Sequence, residues 1–154
     1  MLTVSNGGLL QIASSALERM AFVFVDELDR PPREILDAAE AHGLIELRGS
    51  PGYLMSVSCT SGMIREIAAG MMGLDDATLD WRRYGGSVVS EMANVFGGEL
   101  VQEVSQQGST LMIGLPEVCD RARVQPHVDS AIGSGVCCAI GTDFGQMLIA
   151  VRRD

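Results

Sequence analysis

Between Ser87 and Gln107 apolar residues recur at helical spacing, so that Val88, Met92, Val95, Phe96 and Val104 can all point inward from one long amphipathic helix. Such a helix must bury its apolar face on another layer of structure. The rest of the chain offers that layer.

Leu9, Ile12, Ala16, Met20 and Val23 have three- and four-residue spacing, which predicts a first helix over about Leu9–Phe24. Its end, Phe22-Val23-Phe24-Val25, fits an extended segment equally well, and Pro31-Pro32 is expected to close the element. Ala-rich Glu34–His42 reads as a helix broken by Gly43. Leu44–Leu47 and Tyr53–Val57 flank Gly49-Ser50-Pro51-Gly52, a β-hairpin pattern. Thr60 or Ser61 can cap a helix running to Met72, with Ile64, Ile67, Ala68 and Met71 on its buried face and Gly73 as its stop. Asp75–Arg83 suggests one or two helical turns, and Gly85-Gly86 an interruption before the long helix. Beyond Gln107 the chain reads as strands: Thr110–Leu115 ending at Pro116, then Gly135–Ile140 and Gln146–Val151 around the turn Gly141–Gly145. The expected fold is one domain over residues 1–154, α/β (α+β) layered, with helices packed on a largely antiparallel sheet.

Composition removes several functions. A net charge of −9 leaves no basic face for nucleic acid or for an anionic membrane, the nearest cluster being Arg82-Arg83. No apolar run approaches membrane-spanning length, and Met1–Asn6 has neither a basic region nor a signal-like apolar stretch, so the expected location is the cytoplasm. Cys59, Cys119, Cys137 and Cys138, with His42 and His127, fit no zinc spacing; buried free thiols are expected, with Cys137 and Cys138 on opposite faces of a strand. Aromatics are only 5% of the chain, so nine Met join Leu, Ile, Val and Ala as core filler.

Chemistry concentrates in the long helix. Ser87, Glu91, Asn94 and Gly98 stand at i, i+4, i+7 and i+11, one continuous stripe. Glu-x-x-Asn alone is commonplace on a solvated helix face. Here it is followed by a glycine inside the helix, which disfavours helix by about 1 kcal/mol relative to Ala and leaves room for another backbone. The pattern Ser-x-x-x-Glu-x-x-Asn-x-x-x-Gly resembles the signature of the CheX/CheC/FliY chemotaxis phosphatases. Met63–Gly73 resembles the family helix before the signature, and Ile113–Val118 the strand after it.

That resemblance implies a CheC-like fold and a hydrolase acting on the aspartyl phosphate of a CheY-type receiver domain, a response regulator of two-component signalling. Glu91 and Asn94 would form the catalytic pair. Glu91 would pair with the receiver's lysine, and Asn94 would orient a water in line with the P–O bond. Ser87 and Gly98 would serve partner docking. This chain would bind no metal or cofactor of its own, the Mg²⁺ being the receiver's. A second Glu-x-x-Asn is missing, which is closer to the single-site CheX arrangement, and a homodimer through sheet edges is implied as well. Trp81–Tyr84 reads either as aromatics packed on the sheet beside solvated arginines or as a partner-contacting patch. Two other functions stay open: a receiver-binding adaptor without useful catalysis, and a component of a flagellar or signalling complex.

Overall fold

A computed structural model describes residues 4–75 and 78–154; the expectations for Met1–Thr3, and for Asp76 and Ala77 within Asp75–Arg83, fall outside it. The first helix, α1 (Asn6–Ala21), begins where the Ser5 hydroxyl accepts the Gly8 N–H at 3.0 Å. It ends before Phe22, which closes it in a left-handed conformation at φ 55°, so the following residues leave in extended form. Strand β1 (Asp26–Glu27) follows. Pro31-Pro32 closes nothing: Pro32 opens α2 (Pro32–Ala38), where its missing N–H is one the first turn cannot satisfy anyway.

The helix expected over Glu34–His42 stops at Ala38, and His42 and Gly43 belong to strand β2 (Ala41–Arg48). Gly43 is there because a Cβ would stand 3.0 Å from the Val89 carbonyl oxygen, not to break a helix. Strand β3 (Tyr53–Cys59) completes the expected hairpin, from Leu47 opposite Tyr53 to Ala41 opposite Cys59. Helix α3 (Ser61–Met72) ends at Gly73 with φ 67°; Ile64, Ile67 and Ala68 are buried as expected, whereas Met71 is 40% exposed.

Helix α4 (Trp81–Gln106) starts earlier than the periodicity suggested and runs straight through Gly85-Gly86. Asp80 caps it by accepting the Arg82 N–H at 3.2 Å. Gly85 answers packing, since a Cβ there would lie 3.3 Å from the Ala41 Cβ; at Gly86 the nearest atom, a Val118 methyl, would lie at an ordinary 3.6 Å. After it, the strand expected over Thr110–Leu115 shrinks to β4 (Met112–Ile113), followed by β5 (Glu117–Cys119). Not everything beyond Gln107 is strand. Helix α5 (Arg121–Ser134) is N-capped by the Asp120 carboxylate on the Arg123 N–H at 3.0 Å and buries Val124, His127, Val128 and Ala131. The final hairpin, β6 (Val136–Gly141) and β7 (Gln146–Arg153), is the expected one.

The seven strands form one sheet in the order β1-β6-β7-β3-β2-β4, with β5 also on β2, and all pairings are antiparallel. Alternation along the strands sends side chains to two apolar layers. Met55, Val57, Cys59, Met147, Ile149, Cys138 and Ile140 meet α1, α3 and α4; Leu44, Leu148, Ala150 and Ala139 meet α2 and α5. Covered on both faces, the central strands bury both sets of their side chains, Ser56 and Ser58 of β3 included. Cys137 and Cys138 do face opposite layers, and burial pushes both thiols up to about 11. All four cysteines are free. Met55, Met63, Met92 and Met147 are completely buried in the interior.

Candidate functional site

Helix α4 lies on β2 with Val88, Val89, Met92, Ala93, Phe96 and Leu100 buried beneath it. That floor decides what points outward. At 100° per residue, the line opposite the buried face runs through Ser87, Glu91, Asn94 and Gly98. Ser87, Glu91 and Asn94 are exposed and Gly98 is half-buried. Glu91 and Asn94 are three residues apart, about 4.5 Å along the axis, and project from neighbouring turns. The four residues singled out in the sequence therefore share one face of one rigid element.

Their polar atoms are unspent. Among the described residues, none hydrogen-bonds or ion-pairs with the Ser87 hydroxyl, the Glu91 carboxylate or the Asn94 amide. Gly98 is open: an added Cβ would meet nothing within 4 Å among the described residues, so none of them needs that gap. Chemically, the stripe offers an ion-pairing carboxylate and, one turn on, a neutral group that can both donate and accept. An amide is too weak a base to deprotonate water, but it can hold one in a fixed direction.

The site sits on an outward surface. Two cavities of about 350 and 420 Å³ occur elsewhere, one lined by Leu44, Glu46, Leu115 and Arg123, the other by Phe22, Gly70, Leu74 and Phe144; neither is lined by Glu91 or Asn94. Among the described residues no three His, Cys, Asp or Glu side chains gather as metal ligands, and no helix is long and apolar enough to cross a membrane.

At the start of α4, Trp81 and Tyr84 are partly buried against the main core while Arg82 and Arg83 are exposed. The guanidiniums lie over the rings, Arg82 at 4.8 Å from Trp81 and Arg83 at 5.7 Å from Tyr84. Packing thus accounts for the aromatics.

One neighbour of α4 was matched in the sequence only as the strand after the signature. The β4–β5 segment runs alongside α4, because Ile113 reaches within 3.4 Å of where a Gly97 Cβ would stand and Val118 approaches Gly86 at 3.6 Å. These two contacts bracket the turns that carry Glu91 and Asn94. The segment exposes Met112 (70%), Leu115 (91%) and Val118 (54%). Exposed apolar residues around Pro116 were the available signal, but as a short apolar run they read simply as a strand.

Comparison with curated protein sequences gives no match. Among solved structures, the chain is similar to the chemotaxis protein CheX from Vibrio vulnificus (16% identity, 99% of this chain and 100% of that one, TM-score 0.72). It is similar to a CheC-like superfamily protein from Shewanella sp. PV-4 (17%, 99% of both chains, TM-score 0.69). It also resembles a chain of the CheX-CheY-BeF3-Mg²⁺ complex from Borrelia burgdorferi (16%, 94% of both chains, TM-score 0.66). At such identities the likeness is one of fold, and it takes in the CheC-like arrangement of antiparallel sheet and five helices. The family model described as chemotaxis phosphatase CheX matches residues 41–137, more than half of the chain and the whole of α4. The chain belongs to the CheX family of chemotaxis phosphatases.

Proposed function

We propose that this phosphatase removes the phosphoryl group from the aspartyl phosphate of a CheY-type receiver domain, with Asn94 orienting the attacking water and Glu91 holding the receiver by its active-site lysine. The observation that carries this reading is the pairing of an unspent carboxylate and an unspent amide one turn apart on an exposed face of α4. The CheX-CheY complex from Borrelia burgdorferi supports the partner class, since a chain of this fold there meets CheY with BeF3 and Mg²⁺.

Phosphoryl transfer depends chiefly on positioning and on charge stabilisation. The receiver brings the phosphoryl group, the lysine and the Mg²⁺; this chain adds an orienting group and a grip. The Asn94 carbonyl accepts from the water, and its NH₂ can donate to a phosphoryl oxygen. A hundredfold acceleration asks for only about 2.7 kcal/mol, within reach of positioning alone. Glu91 and the lysine would be worth about 0–1 kcal/mol in water; with the pair desolvated under the docked receiver, truncating it costs about 2–5 kcal/mol. Ser87 and the open Gly98 admit the receiver's surface on either side of the pair.

The reaction belongs in the cytoplasm, where receiver domains work. A homodimer would use the free edge of β1 or of β4 and β5; these strands are two or three residues long, and Asp26-Glu27 places carboxylates on one of them. Sedimentation giving a monomer mass at all concentrations would remove the dimer.

Phosphate release from a panel of phosphorylated receivers tests the function. Acceleration over the receiver's own decay, lost in Asn94→Ala at saturating enzyme, is expected. Binding without acceleration would instead make the chain an adaptor.

A further inference from the structure

Six exposed large apolar side chains, Phe22, Phe24, Met71, Met72, Leu74 and Phe144, come from the ends of α1 and α3 and from the β6–β7 turn. Scattered singly they would need no explanation. Phe22, Leu74 and Phe144, however, line one cavity of about 420 Å³, whose charged members are Glu66 and Asp75. We propose that this cavity is a docking site for a basic amphipathic helix of a partner protein, one that carries Lys or Arg beside large apolar side chains.

Three elements are locked together to form it. The Ala21 carbonyl at the end of α1 presses on Gly70 of α3, where any Cβ would collide with it. The Phe144 carbonyl presses in the same way on Gly62. The Thr142 hydroxyl donates to the Glu66 carboxylate and accepts the Phe144 N–H at 3.1 Å, which ties the β6–β7 turn to α3. The frame that carries the rings is therefore set before any partner arrives. Phe22 adds a second observation. Among the described residues it alone, glycines aside, has a positive φ, 55°, a conformation that crowds a bulky side chain against its own backbone. Glycine there would end α1 without strain. Burial does not offset that strain, since Phe22 is 75% exposed. Strain held in an exposed aromatic residue points to a role outside the fold.

Charge selects the occupant. Among the described residues, the charged side chains lining the cavity are both acidic, and Asp143 precedes Phe144 on the same turn. A cation on an apolar stem is favoured beside Glu66, and can lie over a phenyl ring as well. A second copy set face to face here would oppose Glu66 and Asp75 to their own duplicates, in a chain of net charge −9. With Phe22 75% and Phe144 77% exposed, a small molecule would lie mostly in water, whereas a helix lays a row of apolar anchors across such a mouth. Ser87, Glu91, Asn94 and Gly98 do not line the cavity, so the two surfaces share no residue.

The probe is a synthetic amphipathic helix of about 14 residues built from Leu and Lys, titrated into the full chain, with a Leu/Glu version as control. The Leu/Lys peptide should bind with a Kd of about 100 μM or tighter and more tightly as salt is lowered; the Leu/Glu peptide should not bind. Phe22→Gly should weaken binding about tenfold or more while Tm holds or rises by about 2–4 °C, because the strain leaves with the ring. Phe144→Ser should weaken it to a similar degree, and Glu66→Gln should flatten the salt dependence. A titration with the receiver that the wild-type chain dephosphorylates fastest, loaded with beryllofluoride and Mg²⁺, should give both Phe variants the wild-type affinity. Absence of Leu/Lys binding to the wild-type chain, equal binding of the Leu/Glu peptide, or unchanged peptide affinity in both Phe variants would each overturn the proposal. So would a fall in Tm for Phe22→Gly, which would make the ring part of the fold. Loss of receiver affinity in the Phe variants would assign the cavity to the receiver, and conversion of a wild-type dimer to a monomer by Phe144→Asp would assign it to a second copy; either result overturns the proposal.

Discussion

Gly98 separates two roles a glycine can have in a helix. No described residue approaches the place its Cβ would occupy, so Gly98→Ala should gain helix propensity, about 1 kcal/mol or a rise of about 2–4 °C in Tm. A larger Gly98→Leu should fold as well, yet bind the receiver more weakly in the same titration. A fall in Tm for Gly98→Ala would mean that the gap serves the fold instead. Next to it, Glu91→Ala should raise KM about tenfold or more and leave kcat largely intact, as expected of a group that holds the partner rather than the water. Equal losses of both steps in Glu91→Ala and Asn94→Ala would contradict this division. The stripe was legible in the sequence because helical periodicity alone decides that Ser87, Glu91, Asn94 and Gly98 share a face. The exposure of Leu115 was not, since a short apolar run looks the same whether a strand buries it or a loop presents it.

Helical glycines behave differently where elements cross. At Gly70, in α3, a Cβ would collide with the Ala21 carbonyl at the end of α1, whereas at Gly86 the nearest atom lies at an ordinary 3.6 Å. Gly70→Ala should therefore destabilise by about 1–3 kcal/mol in urea unfolding, and Gly86→Ala should be neutral or stabilising. The same reasoning explains what the sequence concealed. Gly43 and Gly85 looked like breaks, but they are contact points between β2, α3 and α4, and Gly86 faces Val118 of β5 inside the same unbroken helix; nothing local distinguishes the two uses. Both hairpins were legible because their turn residues act locally, and the end of α3 because Gly73 takes the left-handed conformation there; Thr60 starts α3 without a side-chain capping bond, its hydroxyl engaging the Gln146 backbone instead. Helix α5 was hidden by a polar first turn and by Pro126 in its interior, although Val124, Val128 and Ala131 keep the spacing. Pro31-Pro32 misled for a related reason: a proline that can stop one helix can as readily start another.

Across the whole molecule, both histidines lie buried on the face covered by α2 and α5. His42 meets the Ser58 hydroxyl through Nδ1 at 2.8 Å, and His127 donates from Nε2 to the Ala150 carbonyl at 3.0 Å, leaving its Nδ1 without a partner among the described residues. Burial is the main force holding each imidazole below its ordinary value of 6.5. Arg121 adds to it at His42 against Asp120 and Glu40; at His127 the Ala150 carbonyl opposes it, Arg152 adds and Asp154 opposes. With folded values below unfolded ones, the unfolded chain takes up protons first as the pH falls. Stability present above about pH 6.5 should drain away as the pH drops through the folded values. Tm should decline between about pH 7 and pH 5, and a His42→Gln/His127→Gln variant should show a flatter profile; an unaltered slope would refute the assignment. The outward setting of Asn94 has a consequence for chemistry as well. A free acyl phosphate of a few atoms would find no walls around Asn94 to hold it, and this chain has no lysine to offer it, so acetyl phosphate should decay in this protein's presence as it does in buffer. Under the proposed function half of the catalytic apparatus would arrive with the substrate, and the substrate's own architecture would be the lock that keeps this hydrolase idle toward everything else.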